Sequence, residues 1–166
     1  MVPDAQNVPA SGRFAGPGEF AQLVRDVVAL AARDGWPSMV WIDATYDDWP
    51  LGERAVIESL QAWSGKGRHL IMLANSFDEV IRRKPRFVSW RQTWDHIIEC
   101  RVCKMPRASE IDSALWSPAW AMRRLDPVRS IGVANMEPGL RALLKEELNE
   151  YYRQSVPGFS ATTLGL

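Results

Sequence analysis

The chain has 166 residues, enough for one domain with a sizeable core, and its 46% hydrophobic and 24% charged content is that of an ordinary globular protein. Twenty basic residues balance twenty acidic ones, so no global field draws in a nucleic acid or an anionic membrane, and neither is expected as a partner. Cys100 and Cys103 are too few and too close for a disulfide scaffold, no apolar run approaches membrane-spanning length, and the N-terminus lacks a signal-peptide pattern. A reduced, cytoplasmic protein is the expectation.

Residues 1–17 hold three prolines and two glycines and read as a flexible leader. Phe20, Leu23, Val24, Val27, Val28, Leu30 and Ala31 then recur at three and four residues, which predicts an amphipathic helix over 19–33, stopped by Asp34-Gly35. Met39-Val-Trp-Ile42 is a continuous apolar run of the kind a strand buried on both faces requires. After a loop over 45–50, a second helix is predicted over 51–64, with Val56, Leu60 and Trp63 inward and Gly65 and Gly67 behind it. Leu70-Ile-Met-Leu-Ala74 is the second buried strand.

Ser76, with Glu79 three residues on, reads as the cap of a short helix that Pro85 interrupts. A further helical piece covers 87–94, a third strand 96–103, and a short helix 109–115. Residues 116–135 read as strand, tight turn, strand. Pro138 opens a last helix over 137–154, and 155–166 form an apolar tail with Phe159, Leu164 and Leu166. The order implies an α/β class: a mostly parallel sheet with helices on both faces, a C-terminal β-hairpin and a closing helix, in one domain over 18–154.

Asp126 at the hairpin turn, followed by Gly132-Val-Ala-Asn135 and a Leu-rich helix ending in a Tyr pair, resembles phospholipase D-like domains. These carry His-x-Lys, four residues, Asp, and then Gly-Ser-x-Asn. The resemblance implies an α/β sandwich in which the His is the nucleophile and the Lys and Asn hold phosphate. Counted back from Asp126, however, the His and Lys places fall on Ala119 and Ala121, or, shifted by one, on Pro118 and Trp120. With no imidazole there is no phosphoenzyme nucleophile, and with no Lys one phosphate clamp is gone. The resemblance therefore implies a degenerate, non-catalytic member of a bacterial type.

Three other groupings carry chemistry. Asp43, Asp47 and Asp48 follow the first predicted strand, and Asn75 and Ser76 follow the second, where open α/β sheets gather ligands. Oxygen donors of this kind suit Mg²⁺, as in a small metal-dependent hydrolase or phosphotransfer enzyme. The placement is similar to that in haloacid-dehalogenase phosphatases, but their Asp-x-Asp is missing, since Ala44 and Thr45 follow Asp43. The plainer reading is solvated loop acids and a helix cap. His96, Cys100 and Cys103 suggest a metal, yet strand alternation turns Cys103 away from the other two, so two buried, inert thiols are expected and no metal or cofactor. Arg82, Arg83, Lys84, Arg86 and Arg91, interleaved with Trp90 and Trp94, could grip a phosphate backbone and stack bases. The plainer reading turns the aromatics inward.

The leading expectation is a non-catalytic α/β domain that binds a protein partner or a second copy of itself. It rests on the empty His and Lys places, the eight tryptophans and the apolar tail.

Overall fold

The computed structural model describes residues 12–104 and 111–160. Helix α1 (Pro17–Asp34) buries the stripe from Phe20 to Ala31, and Gly35 ends it in the left-handed region, φ 65°, with its N–H on the Ala31 carbonyl. The three apolar runs become β2 (Ser38–Ile42), β3 (His69–Ala74) and β4 (Ile98–Val102). Helix α2 (Arg54–Trp63) links the first two, and α3 (Asp78–Arg83) with α4 (Pro85–Thr93) links the second and third. These crossovers make β2–β3–β4 parallel.

The rest of the sheet is antiparallel. Strand β1 (Gly12–Ala15) lies inside the stretch expected to be leader and pairs with β7 (Ile131–Ala134). Strands β5 (Ser113–Trp116), β6 (Ala121–Asp126) and β7 form a meander, and β8 (Val156–Pro157) closes the far edge after α5 (Pro138–Arg153). The order is β1-β7-β6-β5-β2-β3-β4-β8.

The expectation of a mostly parallel sheet is thus corrected: of the seven pairings among the described residues only β2–β3 and β3–β4 are parallel. A continuous apolar run reports burial on two faces and not direction. The four-residue links at 117–120 and 127–130 leave room only for antiparallel return. Residues 113–115, expected to be helical, are strand, because Ala114 and Leu115 fill the middle of the sheet between β2 and β6; residues 109–110 of that expected helix lie outside the described residues.

Alternation along β2 separates two cores. Met39 and Trp41 face α1 and α2 with Phe20, Val24, Leu60 and Trp63, while Val40 and Ile42 face α5 with Leu144 and Leu148. Six of the eight tryptophans are buried, and Trp94 and Trp116 are half-buried, so the tryptophan content builds a core and no aromatic surface. No helix among the described residues is long and apolar enough to cross a membrane.

Candidate functional site

Strand β6 sets Met122 and Arg124 on the core face, and so places a guanidinium under the sheet end where β2 stops. Arg124 Nη2 donates to Asp43 Oδ1 at 2.8 Å, and Nη1 donates to Asp48 and to Ser130 Oγ. Its Nε donates to Ser113 Oγ at 3.0 Å, and the guanidinium lies 3.9 Å from the centroid of Phe20. The Arg124 and Asp43 side chains are 2% and 8% exposed, so this is a buried pair, while Asp48 remains half in water. The other oxygen of Asp43 accepts the Tyr46 and Thr45 amides, at 2.8 and 3.2 Å. These bonds fix Tyr46 at φ 59°, with its hydroxyl on the Leu73 carbonyl; burial holds that phenol well above its usual pKa.

A cleft of about 440 Å³ opens over this cluster, lined by Thr45, Asp47, Asp48, Ile111 and Val128 among others. Asp43 meets it with its carboxylate already committed on both oxygens. Asn75 and Ser76 hold the Ala44 carbonyl with their amides. Their side chains turn elsewhere: Asn75 Nδ2 to the Cys103 carbonyl, and Ser76 Oγ to the Asp78 amide. Neither lines the cleft. Among the described residues no group of three or more His, Cys, Asp or Glu side chains is placed to hold a metal ion.

Asn135 stands at the opposite end of the sheet, exposed and at φ 53°, next to Met136, whose amide reaches the Ala121 carbonyl. Ala119 and Ala121, the places counted for the expected His and Lys, lie at this same end. Ser117 is buried there, accepting the Trp120 and Ala119 amides and donating to the Trp120 carbonyl. Pro118 and Ala119 are exposed, while Trp120 and Ala121 are buried in opposite cores. Neither histidine reaches this place. His69 lies at the start of β3, three strands from β6, or about 14 Å at ordinary strand spacing, and faces Glu99 at 3.9 Å. His96 sits in the 3₁₀ turn Asp95–Ile97 against Trp94.

The cysteines are free and buried, one in each core; burial pushes the Cys100 thiol up to about 12. In the basic segment Phe87 and Trp90 point into the core. Arg91 is also buried and donates to Asp95 and to the Phe159 carbonyl; Phe159, at φ 48°, packs on Phe77 and on Arg91 itself. The tail therefore docks on its own domain as far as Ser160, while Leu164 and Leu166 lie outside the described residues. Lys84 is fastened to the Asp47 and Trp49 carbonyls, and burial lowers its pKa. Arg82, Arg83 and Arg86 stay exposed: the first two share Glu79, and Arg86 donates to the Gly52 carbonyl.

Arg124 and Arg91 were not legible as anchors, although one signal existed for the first. Period-two alternation from Met122 puts Arg124 on a core face, where a cation requires a carboxylate.

No family model and no curated protein matches the chain. Solved structures that share its fold include the following two. An archaeal chromatin protein, TrmBL2, whose structure is described as showing a novel mode of DNA binding, matches with a TM-score of 0.65 at 14% identity, over 95% of this chain and 58% of that one. Polyphosphate kinase from Porphyromonas gingivalis matches with a TM-score of 0.52 at 12% identity, over 86% of this chain and 23% of that one. The chain thus spans little over half of the first protein and about a quarter of the second. The expectation that nucleic acid is no partner is corrected by the first of these, since a domain of this fold occurs in a DNA-binding chromatin protein. Net charge averaged over a chain does not report how its cations are grouped.

Proposed function

We propose that the chain is a non-catalytic binding module of phospholipase D-like architecture that meets the phosphate backbone of a nucleic acid through the α3–α4 elbow. The observation that carries this is the sorting of the segment 82–94. Three guanidinium groups, Arg82, Arg83 and Arg86, are exposed; Arg82 and Arg83 share Glu79, and Arg83 also stands 3.9 Å from Asp47. The aromatics beside them are in the core or turned along it, so the elbow offers phosphate contacts without a stacking platform. Backbone contact of this kind favours a duplex over a single strand and carries little sequence preference. The DNA-binding of the archaeal neighbour supports the partner class, and the Pro118, Ala119, Trp120 and Ala121 side chains support the non-catalytic half. Contact with other proteins, self-association included, belongs to the same reading and concerns a different face.

Fluorescence anisotropy with a short labelled duplex tests the proposal. Three phosphate contacts give a log–log salt slope of about −2.7, or about forty-fold weaker binding between 50 and 200 mM salt. Replacing Arg82, Arg83 and Arg86 together by Ala should abolish that slope. A duplex that fails to bind at low salt, or a triple variant that binds like the parent, refutes the nucleic-acid half. Turnover of a phosphodiester substrate refutes the non-catalytic half.

A further inference from the structure

Glu79 stands among the cations of the elbow, and the helix itself puts it there. Helix α3 is six residues long, and Arg82 and Arg83 follow Glu79 by three and four residues, on the same face. Both oxygens of the carboxylate are taken: Arg82 Nη2 donates to Oε1, and Arg83 Nε stands 3.0 Å from Oε2. The Arg82 and Arg83 side chains are 65% and 64% exposed and that of Glu79 is 26% exposed, so the acid is the most covered of the three.

Arg86 is placed differently. Its Nη1 donates to the Gly52 carbonyl at 3.0 Å, a neutral acceptor that leaves the charge of the guanidinium without a counter-charge. Lys84, between the two sets, is fastened to the Asp47 and Trp49 carbonyls and holds the elbow against the loop that carries them. Two other acids are near. Asp47 is 3.9 Å from Arg83, and exposed Asp78 opens α3 but pairs with neither Arg82 nor Arg83 among the described residues.

A phosphodiester offers what this carboxylate offers: two anionic oxygens on one centre, each able to accept from a separate N–H donor. We infer that Glu79 is a resident competitor for the phosphate at the elbow, so that a nucleic acid has to take Arg82 and Arg83 from it while Arg86 is open from the start. The inference rests on the nucleic-acid reading and deepens it by naming what holds the affinity of that site down. An exposed ion pair is worth little in water, so the carboxylate gives up its cations at small cost. Its charge nevertheless stays beside the bound phosphate, because the helix carries it. At about 6 Å in water that repulsion is worth about three-fold in affinity, and salt screens it.

Anisotropy with the labelled duplex, on the full chain and on Glu79→Gln and Asp78→Asn, tests this. The two variants remove the same charge from the same helix, but only the first frees guanidinium groups. Glu79→Gln should bind about three-fold or more tightly at 50 mM salt, with a smaller gain at 200 mM, and Asp78→Asn should gain less than about two-fold. Equal gains make the effect one of net charge and overturn the inference. A parent that binds the duplex beside a Glu79→Gln variant that binds no better removes the inference and leaves the nucleic-acid reading standing. If neither binds, both fall. Should circular dichroism show that Glu79→Gln loses helix, single variants of the parent keep the test decisive: Arg86→Ala weakening binding more than Arg82→Ala supports the inference, and the reverse order overturns it.

Discussion

Replacing Arg124 by Met isolates the buried charge pair, because the Met chain keeps apolar length over Phe20 while removing every guanidinium bond. Asp43, 8% exposed in its side chain, then keeps its two amide donors but loses the cation 2.8 Å away. Breaking a buried pair from one side costs about 3–5 kcal/mol, since the remaining charge is neither solvated nor compensated. Asp48 adds little, because it is half in water and recovers hydration when released. For a chain of 166 residues, about 4 kcal/mol corresponds to a fall in Tm of about 12 °C. Urea unfolding with matched m-values, supported by calorimetry, measures it. The double variant Arg124→Met with Asp43→Asn should recover about 2 kcal/mol, as the amide oxygen still accepts the Tyr46 N–H and no charge stays buried. A single variant within about 1 kcal/mol of the parent, or a double variant worse than the single, refutes the assignment of this pair as a buried tie between the end of β2 and β6.

Gly132→Ala should lower stability by about 2–3 kcal/mol in the same assay, because a Cβ there meets the Arg123 carbonyl oxygen at 2.2 Å and the Phe14 ring at 2.6 Å, and neither backbone nor buried ring can step aside. Phe159→Ala should cost about 1–2 kcal/mol and raise proteolysis of the tail, since the ring is the tail's contact with Phe77 and Arg91. Alkaline pH should destabilise the protein through Cys100. Its thiol keeps its proton in the fold up to about pH 12 but loses it near pH 9 when unfolded, so its contribution is whole below pH 9 and falls with rising pH by up to about 1.4 kcal/mol per unit. Cys100→Ala should flatten that fall in unfolding curves taken between pH 8 and 11, leaving the share of Tyr46, whose pKa is also raised by burial; an unchanged pH profile contradicts it.

Element positions were legible wherever one face of a segment meets a core. The stripe from Phe20 to Ala31, the runs 39–42 and 70–74 and the Leu-rich last helix all stand within a few residues of their expected bounds. Strand direction was not legible, because an apolar run such as Met39–Ile42 is buried on both faces whichever way its neighbours run, and here one neighbour is parallel and the other antiparallel. Asp43 was legible as a strand-end acid, but its partner was not, since Arg124 is 81 residues away and meets it only when β5 and β6 fold back beside β2. Asn135 and Asp43, each a candidate in the sequence on its own grounds, lie at opposite ends of the sheet for the same reason.

The amino-acid sequence by itself determined the periodicities, and with them the helices and most of the strands. Only the tertiary structure decided which way each strand runs, which carboxylate meets which guanidinium, and which arginines of the segment 82–94 see water. Periodicity is local, set by 3.6 and 2 residues per repeat, whereas direction, pairing and exposure depend on contacts between residues tens of positions apart.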